Sequence, residues 1–470
     1  MKKIISLLLL MLFILLTACN GNTNQEAPDQ EDNEVVQELP EIDMEGYECK
    51  VLQDDQPINP FRYVDTTEFS DLALKRVGEV EEAFNCNITF EYGGYDIEII
   101  NYVISNVMAQ VNVGEIYYSS LDNTAGRIAA GGGLYPLTDV KDIVNYEDSA
   151  KWGSANFLET AMFDSIPYAV APMYWPLKQP PMCYILVVNE DLIQQAGLSD
   201  PREFIEQKNW TWETYENFLI SVPNELNGRP LSASVENAAH LSKMAIFGNG
   251  TEVIRQEGES FVLDINSSDS IEAMDWAMRM GKEHSDKYYM GMKDGGNWEQ
   301  RVQHTIDGEA VMATAATWLL LDKVMYELDN FGVLPYPVGP KGEQGKWPGV
   351  LETMESIGIL ANAAEPENAA YVIDALFRPL EGYETQDSLD AYMNRYVFHD
   401  TRDAEIWNQL GKNAKFSYWT VGGDDFWYQI QGAFFNKTAS EFINSQMQKL
   451  QNVADKYMIP NLEYMDSHKN

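Results

Sequence analysis

From residue 47 onward, short runs that alternate between apolar and polar positions are separated by stretches whose apolar residues recur every three or four places. Strand-like runs, alternating at 88–92 and more uniformly apolar at 50–52 and 116–119, predict three strands. The longer period predicts amphipathic helices at 69–84 and 98–113, and a short helix at 122–132 stopped by Gly131-Gly132-Gly133. This βαβα opening places the chain among α/β proteins, whose open sheets bind ligands at the carboxyl ends of their strands. Farther on, Asn266-Ser267-Ser268 can cap a helix with Ile271, Met274 and Met278 on one face. Ile443, Met447, Leu450, Ala454 and Tyr457 keep the same spacing near the end. Both methionine-bearing faces are expected in the core.

The first residues follow a different pattern. Lys2 and Lys3 precede an apolar stretch, 4–16, broken only by Ser6. It is too short to span a bilayer and has the flanks of an export signal. Its end, Leu16-Thr17-Ala18-Cys19, resembles the bacterial lipobox, which implies cleavage after residue 18 and acylation of Cys19. A diacylglyceryl group supplies the two chains that stable anchoring needs. From Asn20 to Glu45 there are nine acidic residues, two prolines and no Lys or Arg, so this stretch reads as a disordered, self-repelling tether. The expected location is the outer face of the cell membrane.

Composition narrows the function classes. The 470 residues exceed what one core usually serves, so two lobes are expected. A formal net charge of −41, with no basic stretch, opposes nucleic-acid binding. Eleven Trp and 25 Tyr are more than a bland core requires and suit sites for amphipathic ligands. With Cys19 assigned to lipid, Cys49, Cys86 and Cys183 are an odd set without CxxC spacing, which argues against a zinc site or a disulfide framework. Buried free thiols are expected, with a Cys49–Cys86 bridge as the alternative. There is no HExxH, GxSxG or SxxK motif, and no GxGxxG behind a strand. Gly342–Trp347 departs from a phosphate loop at Pro340 and Trp347. The remaining enzymatic reading, a glycosidase using Asp424, Asp425 or Glu352, rests on acids that a chain this acidic places side by side by chance. No enzyme, metal or organic cofactor is expected.

A series of landmarks then runs in one order. Gly133-Leu134-Tyr135-Pro136-Leu137-Thr138, Ile166–Pro172, Val187–Leu192 with Ala196-Gly197-Leu198, and Trp210–Tyr215 come first. Asp307–Met312 with Trp318, Pro335–Pro340, and Phe426-Trp427-Tyr428 before a long helix follow. In this order they resemble the family 1 extracellular solute-binding proteins of ABC transporters, sugar-binding type, with a distant similarity to the family's maltose-binding protein. The resemblance covers the chain from about Tyr47 to Tyr464.

That resemblance implies a two-lobed periplasmic-binding-protein-like (type II) α/β fold, each lobe a mixed sheet flanked by helices, joined by a hinge. It implies crossings near Ala171, Trp318 and Leu360, hence one lobe of 46–171 and 319–360 and another of 172–318 and 361–465. It further implies a monomer that holds a mono- or oligosaccharide between its lobes and delivers it to ABC permease subunits. A non-sugar solute, or service to a sensor kinase, is the alternative. Ligand-binding positions carried over are Asp122 and Asn123 after the third strand, Trp175 after the first crossing, Trp318 at the second, Glu352, and Trp427, which matches a sugar-stacking Trp. Val188 stands where sugar binders often carry an aromatic, so maltodextrin specificity does not transfer. Trp152, Trp210, Trp212, Trp276 and Trp407 are expected in lobe packing.

Overall fold

The computed structural model describes residues 39–54, 68–94, 97–119, 124–152, 158, 161–172, 184–258, 260–292, 297–351, 356–417, 425–462 and 464. Glu41–Asn470 forms one compact unit. The export signal, Cys19, Cys183 and residues 20–38 of the acidic tether lie outside the described residues. The tether's expected end is ordered instead: Met44 is buried and its N–H donates to the Phe84 carbonyl at 2.8 Å, while Asn85 donates to the Asp43 carboxylate.

In chain order the first part comprises β1 (Tyr47–Gln53), α1 (Glu68–Phe84), β2 (Cys86–Tyr92), α2 (Ile97–Met108), β3 (Ile116–Ser119), α3 (Thr124–Ala130) and β4 (Ala169–Val170). The second comprises β5 (Tyr184–Asn189), α4 (Trp212–Ser221), β6 (Ser232–Val235), α5 (Ala238–Gly248), α6 (Ser268–Glu283), α7 (Trp298–Ile306), β7 (Ala310–Ala316) and β8 (Phe331–Leu334). Then come β9 (Gly349–Leu351), β10 (Ser356–Ile359), α8 (Pro366–Leu376), α9 (Gln386–Tyr392), α10 (Thr401–Lys412), β11 (Ala414–Phe416), α11 (Asp425–Ala433) and α12 (Ala439–Val453). The predicted α/β alternation is present, with each early element within a few residues of its expected place. The largest difference is α2, expected to reach 113. It ends at Met108 because Gln110 turns left-handed (φ 58°) and the Val111 N–H closes back on the Asn106 carbonyl at 2.9 Å. Gly132 (φ +74°) ends α3 as expected, and a Cβ on Gly131 would stand 2.4 Å from Ile104.

Two mixed sheets carry the fold. The first has strand order β2-β1-β3-β10-β4, with β10 antiparallel to both neighbours. The second has order β6-β7-β5-β8, with β5 antiparallel to β7 and β8. Each sheet has its own core, one including Leu52, Ile99, Val103 and Tyr117, the other Val187, Leu241, Met274 and Val333. Fully burying one such side chain contributes about 1.5–3 kcal/mol. Leu351 of β9 packs against both cores, and β9 pairs in parallel with β11.

Sheet membership departs from the expected crossings. β8 lies beyond Trp318, yet Gly332 and Val333 pair with Val188 and Val187, so the chain stays with the second sheet to Leu334. Four buried residues antiparallel to a buried strand give that segment no other apolar surface to cover. The segment after Leu360 was expected in the second lobe, yet α8 sits on the first. Arg76 donates to the carbonyls of Ala375, Arg378 and Pro379, and Lys151 to that of Asp374. The chain end also returns to the first sheet's side. Asn461 donates to the Met162 carbonyl and accepts the Ser165 N–H at 3.1 Å, on a short hairpin just before β4.

The free thiols Cys49 and Cys86 are unbridged. Cys49 is buried as expected, whereas Cys86 is only half-buried. The five tryptophans assigned to packing are all buried, and Met274 and Met278 lie in the core.

Candidate functional site

The two crossings join matching ends of the sheets. β4 leaves the first sheet at the edge where Ser119 pairs with Ser356, and the chain re-enters at Tyr184, opposite Ala316 at the carboxyl end of β7. It departs again from Leu334 and returns at Ser356. The carboxyl edges of both parallel strand pairs therefore lie on the hinge side, where open α/β sheets hold ligands.

On the first sheet this edge carries Asp54, directly after β1, and Ser119 and Ser356. Ser119 Oγ donates to the Asp54 carboxylate, and Ser356 Oγ donates to the Ser119 carbonyl at 3.1 Å. All three are buried, which fixes the strand ends in register.

On the second sheet, Glu236 follows β6 and is fully buried. Its carboxylate accepts the Asn237 N–H at 2.8 Å and the Tyr336 hydroxyl at 3.3 Å, and that hydroxyl lies 2.5 Å from Thr314 Oγ1 of β7. Burial pushes its pKa up to about 7, against the pull of Thr314, Asn237, Arg301 and Tyr336. Arg301 of α7 donates to His240 Nδ1 at 3.3 Å and lies over the Trp298 ring at 4.6 Å. Trp298 stacks on Tyr184 with centroids 5.5 Å apart and planes at 13°, and Lys243 of α5 reaches the Tyr184 hydroxyl at 3.4 Å. Burial, aided by Lys243 and Arg301, holds His240 well below its ordinary pKa, so the imidazole is neutral and accepts from Arg301. The hydroxyls of Tyr215, Ser234 and Tyr288 lie buried in this lobe, and Glu236 raises both tyrosine pKa values further beyond the effect of burial. This edge thus combines aromatic faces with a fixed set of donors and acceptors.

Of the six sequence-predicted ligand residues, Trp318 has a described side chain. It sits on the single turn Thr317–Leu319 directly after β7 and is 39% exposed. Asp122, Asn123, Trp175 and Glu352 lie outside the described residues. Trp427 belongs to α11, but its side chain lies outside the described set too. Sequence reasoning missed Glu236, Tyr184, Trp298, His240, Arg301 and Tyr336. The available signal was Glu236-Asn237 at a strand end, with Asn237 accepting the Ala239 and His240 N–H groups as the cap of α5. Among the described residues, no group of three or more His, Cys, Asp and Glu is placed to hold a metal ion, and no helix is long and apolar enough to cross a membrane.

Two mixed sheets joined by two connections, each with polar groups at the strand edge where the chain passes between them, make up the architecture. The chain belongs to the bacterial extracellular solute-binding protein family, whose model matches residues 75–394. This is a family of binding proteins rather than enzymes, and its members work outside the cytoplasm. No curated protein matches the sequence. Among solved structures, the GacH receptor of Streptomyces glaucescens, studied unliganded and with acarbose, is similar in fold. It has a TM-score of 0.61 at 13% identity, over 88% of this chain and 99% of that one. The substrate-binding protein Lmo0181 of Listeria monocytogenes, in complex with cycloalternan, gives 0.62 at 13% identity, over 87% and 98%. UgpB of Mycobacterium tuberculosis, in complex with glycerophosphocholine, gives 0.59 at 15%, over 87% and 98%.

Proposed function

We propose that the protein is a lipid-anchored receptor that captures a carbohydrate between its two lobes and delivers it to the permease subunits of an ABC importer. The observation that carries this reading is the stacked Tyr184–Trp298 pair beside a buried, hydrogen-bonded carboxylate at the hinge-side edge, with Trp318 partly exposed on the turn directly after β7. A pyranose presents apolar C–H faces and a rim of hydroxyls, so aromatic platforms supply area while fixed polar groups read the edge. Asp122, Asn123, Trp175, Glu352 and Trp427 complete the ligand set in this reading. No reaction occurs on the ligand.

The first lobe is taken as the part built on the first sheet, 46–171 and roughly 352–396, and the second as the part built on the other. Closure follows from a ligand that touches both lobes at once, since contact with one lobe cannot bias the hinge. In this reading Cys19 carries the lipid, 20–40 is the tether, and the body from Glu41 works as a monomer at the outer face of the membrane. GacH and Lmo0181 support a sugar, being structures with acarbose and cycloalternan. UgpB supports the competing class, a phosphorylated polyol ester.

A thermal-shift screen against mono- and oligosaccharides, polyols, glycerophosphodiesters, amino acids and peptides tests the reading. A sugar that raises the melting temperature with concentration, adding about 2.7 kcal/mol at a hundredfold excess over Kd, and is recovered unchanged supports it. A response confined to another class refutes the carbohydrate assignment and leaves the fold.

A further inference from the structure

A groove of about 700 Å³ lies on the first lobe between the opening turns of α1 and the segment 381–396, lined by Asp71, Glu381, Tyr383, Ser388, Tyr392 and Tyr396, among others. Its volume falls in the range of small-molecule sites, about 300–1,000 Å³. The two inner tyrosines are held rigidly. Buried Phe69 meets Tyr383 edge-on at 4.9 Å and Tyr392 edge-on at 4.8 Å. Tyr396 extends this aromatic wall, 5.0 Å from Tyr392, and is 50% exposed. The guanidinium of Arg395 lies over the Tyr396 ring at 5.0 Å.

The turn that presents Tyr396 has an unusual backbone. Met393–Val397 is π-helical, and Phe398 N–H bonds to the Met393 carbonyl at 2.9 Å. Such turns are frequent at functional sites, and two others occur among the described residues, at Leu320–Val324 and Ala454–Met458. Polar groups rim the groove. The Glu381 carboxylate is held by Lys75 at 2.5 Å, Ser388 closes the cap of α9 with Thr385, and Asp71 sits on the first turn of α1. The two carboxylates are balanced by the Lys75 ammonium and the Arg395 guanidinium, which leaves no net attraction for an anion. Pinned aromatic rings with acceptors at their edges suit a sugar ring and spare it the entropy of ordering its platform.

The groove lies at the strand edge of the first sheet that carries Asp54. α1 runs back from the carboxyl end of β1, so its first turns lie on the hinge side of the sheet, with Asp54. The opposite wall belongs to the stretch through which the chain passes from α8, on the first lobe, to α10, where Asp403 binds the Val333 N–H of β8.

We propose that this groove is an outer subsite for the end of an oligosaccharide whose remaining units sit in the cleft, so that the ligand is an oligosaccharide rather than a monosaccharide. The proposal rests on the carbohydrate reading given above. It is tested by calorimetry on the wild type, Tyr396→Ala and Tyr396→Phe with mono-, di-, tetra- and hexasaccharides of the malto, cello and xylo series. The expected result is tighter binding of the longer members. Tyr396→Ala then loses about tenfold in affinity for the hexasaccharide and nothing for the disaccharide, while Tyr396→Phe, which keeps the ring, stays within about twofold of wild type. If the wild type binds but Tyr396→Ala affects all lengths alike or none, the subsite is overturned and the carbohydrate reading stands. If the wild type binds no member, both fall together.

Discussion

The guanidinium of Arg202 lies 3.0 Å from the carboxylate of Asp403 inside the second lobe, where Asp403 also accepts the Val333 N–H at 2.8 Å. One buried carboxylate thus ties the helix after the crossing, α10, to the edge strand β8 and to the Asp200–Arg202 turn. Burial pushes the Asp403 pKa up to about 6 even though Arg202 and the Val333 amide pull it down, so desolvation is the larger effect. Removing Arg202 leaves a buried acid without its charge partner. Arg202→Met is expected to lower stability by about 3–5 kcal/mol in urea unfolding, and the double variant with Asp403→Asn to recover much of that loss.

Glu236 should give the fold a pH dependence of definite sign. Its pKa is raised from 4.5 to about 7 on folding, so between those values the folded state binds more protons than the unfolded one. Its contribution is therefore greatest below about 4.5, falls as pH rises and levels off above about 7, a change on the order of 3 kcal/mol. Melting temperatures between pH 5 and pH 8, about the window concerned, should decline less in Glu236→Gln than in wild type. Parallel curves would show that the residue is not titrating there.

Trp318 is open enough to be removed without hollowing the core. Trp318→Ala is expected to leave urea stability within about 1 kcal/mol of wild type while weakening the best ligand from the thermal-shift panel about tenfold. Unchanged affinity in calorimetry would take Trp318 out of the binding set.

Asn461 spends its side chain on the hairpin of the opposite lobe and on its own helix, donating to Met162 and Tyr457 and accepting from Ser165. Asn461→Ala should cost about 1–3 kcal/mol. Hydrogen exchange should speed up at residues 454–461 and at 162–167 together, while α12 keeps its protection. Acceleration across the whole chain would mean that the contact supports global stability rather than a local clip.

What the sequence made legible was largely what packing demands. The Trp210–Trp212 landmark is structural: Trp210 Nε1 donates to the Pro335 carbonyl, Trp212 stacks on Trp276 at 4.6 Å, and Thr211 caps α4. Gly339 of the proline-rich landmark is needed because a Cβ there would stand 2.5 Å from Trp212. Asn189 accepts the Leu192 N–H and so starts the helix that its landmark announced. Such residues are constrained by neighbours close in sequence or by volume, and their spacing carries the information. The Glu236 cluster is not of that kind. Its members come from β5, β6, α5, α7, β7 and the segment after β8, and in a chain with 73 acidic residues nothing local separates Glu236 from a solvated acid. The misplaced second crossing has a similar cause, because a four-residue apolar strand fits either sheet until its partner is known.

The strand order of the first sheet sets the order in which the protein can be built. β10, at residues 356–359, lies between β3 and β4, so those two early strands are joined only through it, once most of the chain is available. Contacts this distant in sequence form late and slowly. A chain that emerges amino terminus first therefore holds an unfinished first lobe until residues 356–359 are in place, and its early strands gain their shared partner only from the carboxyl-terminal half.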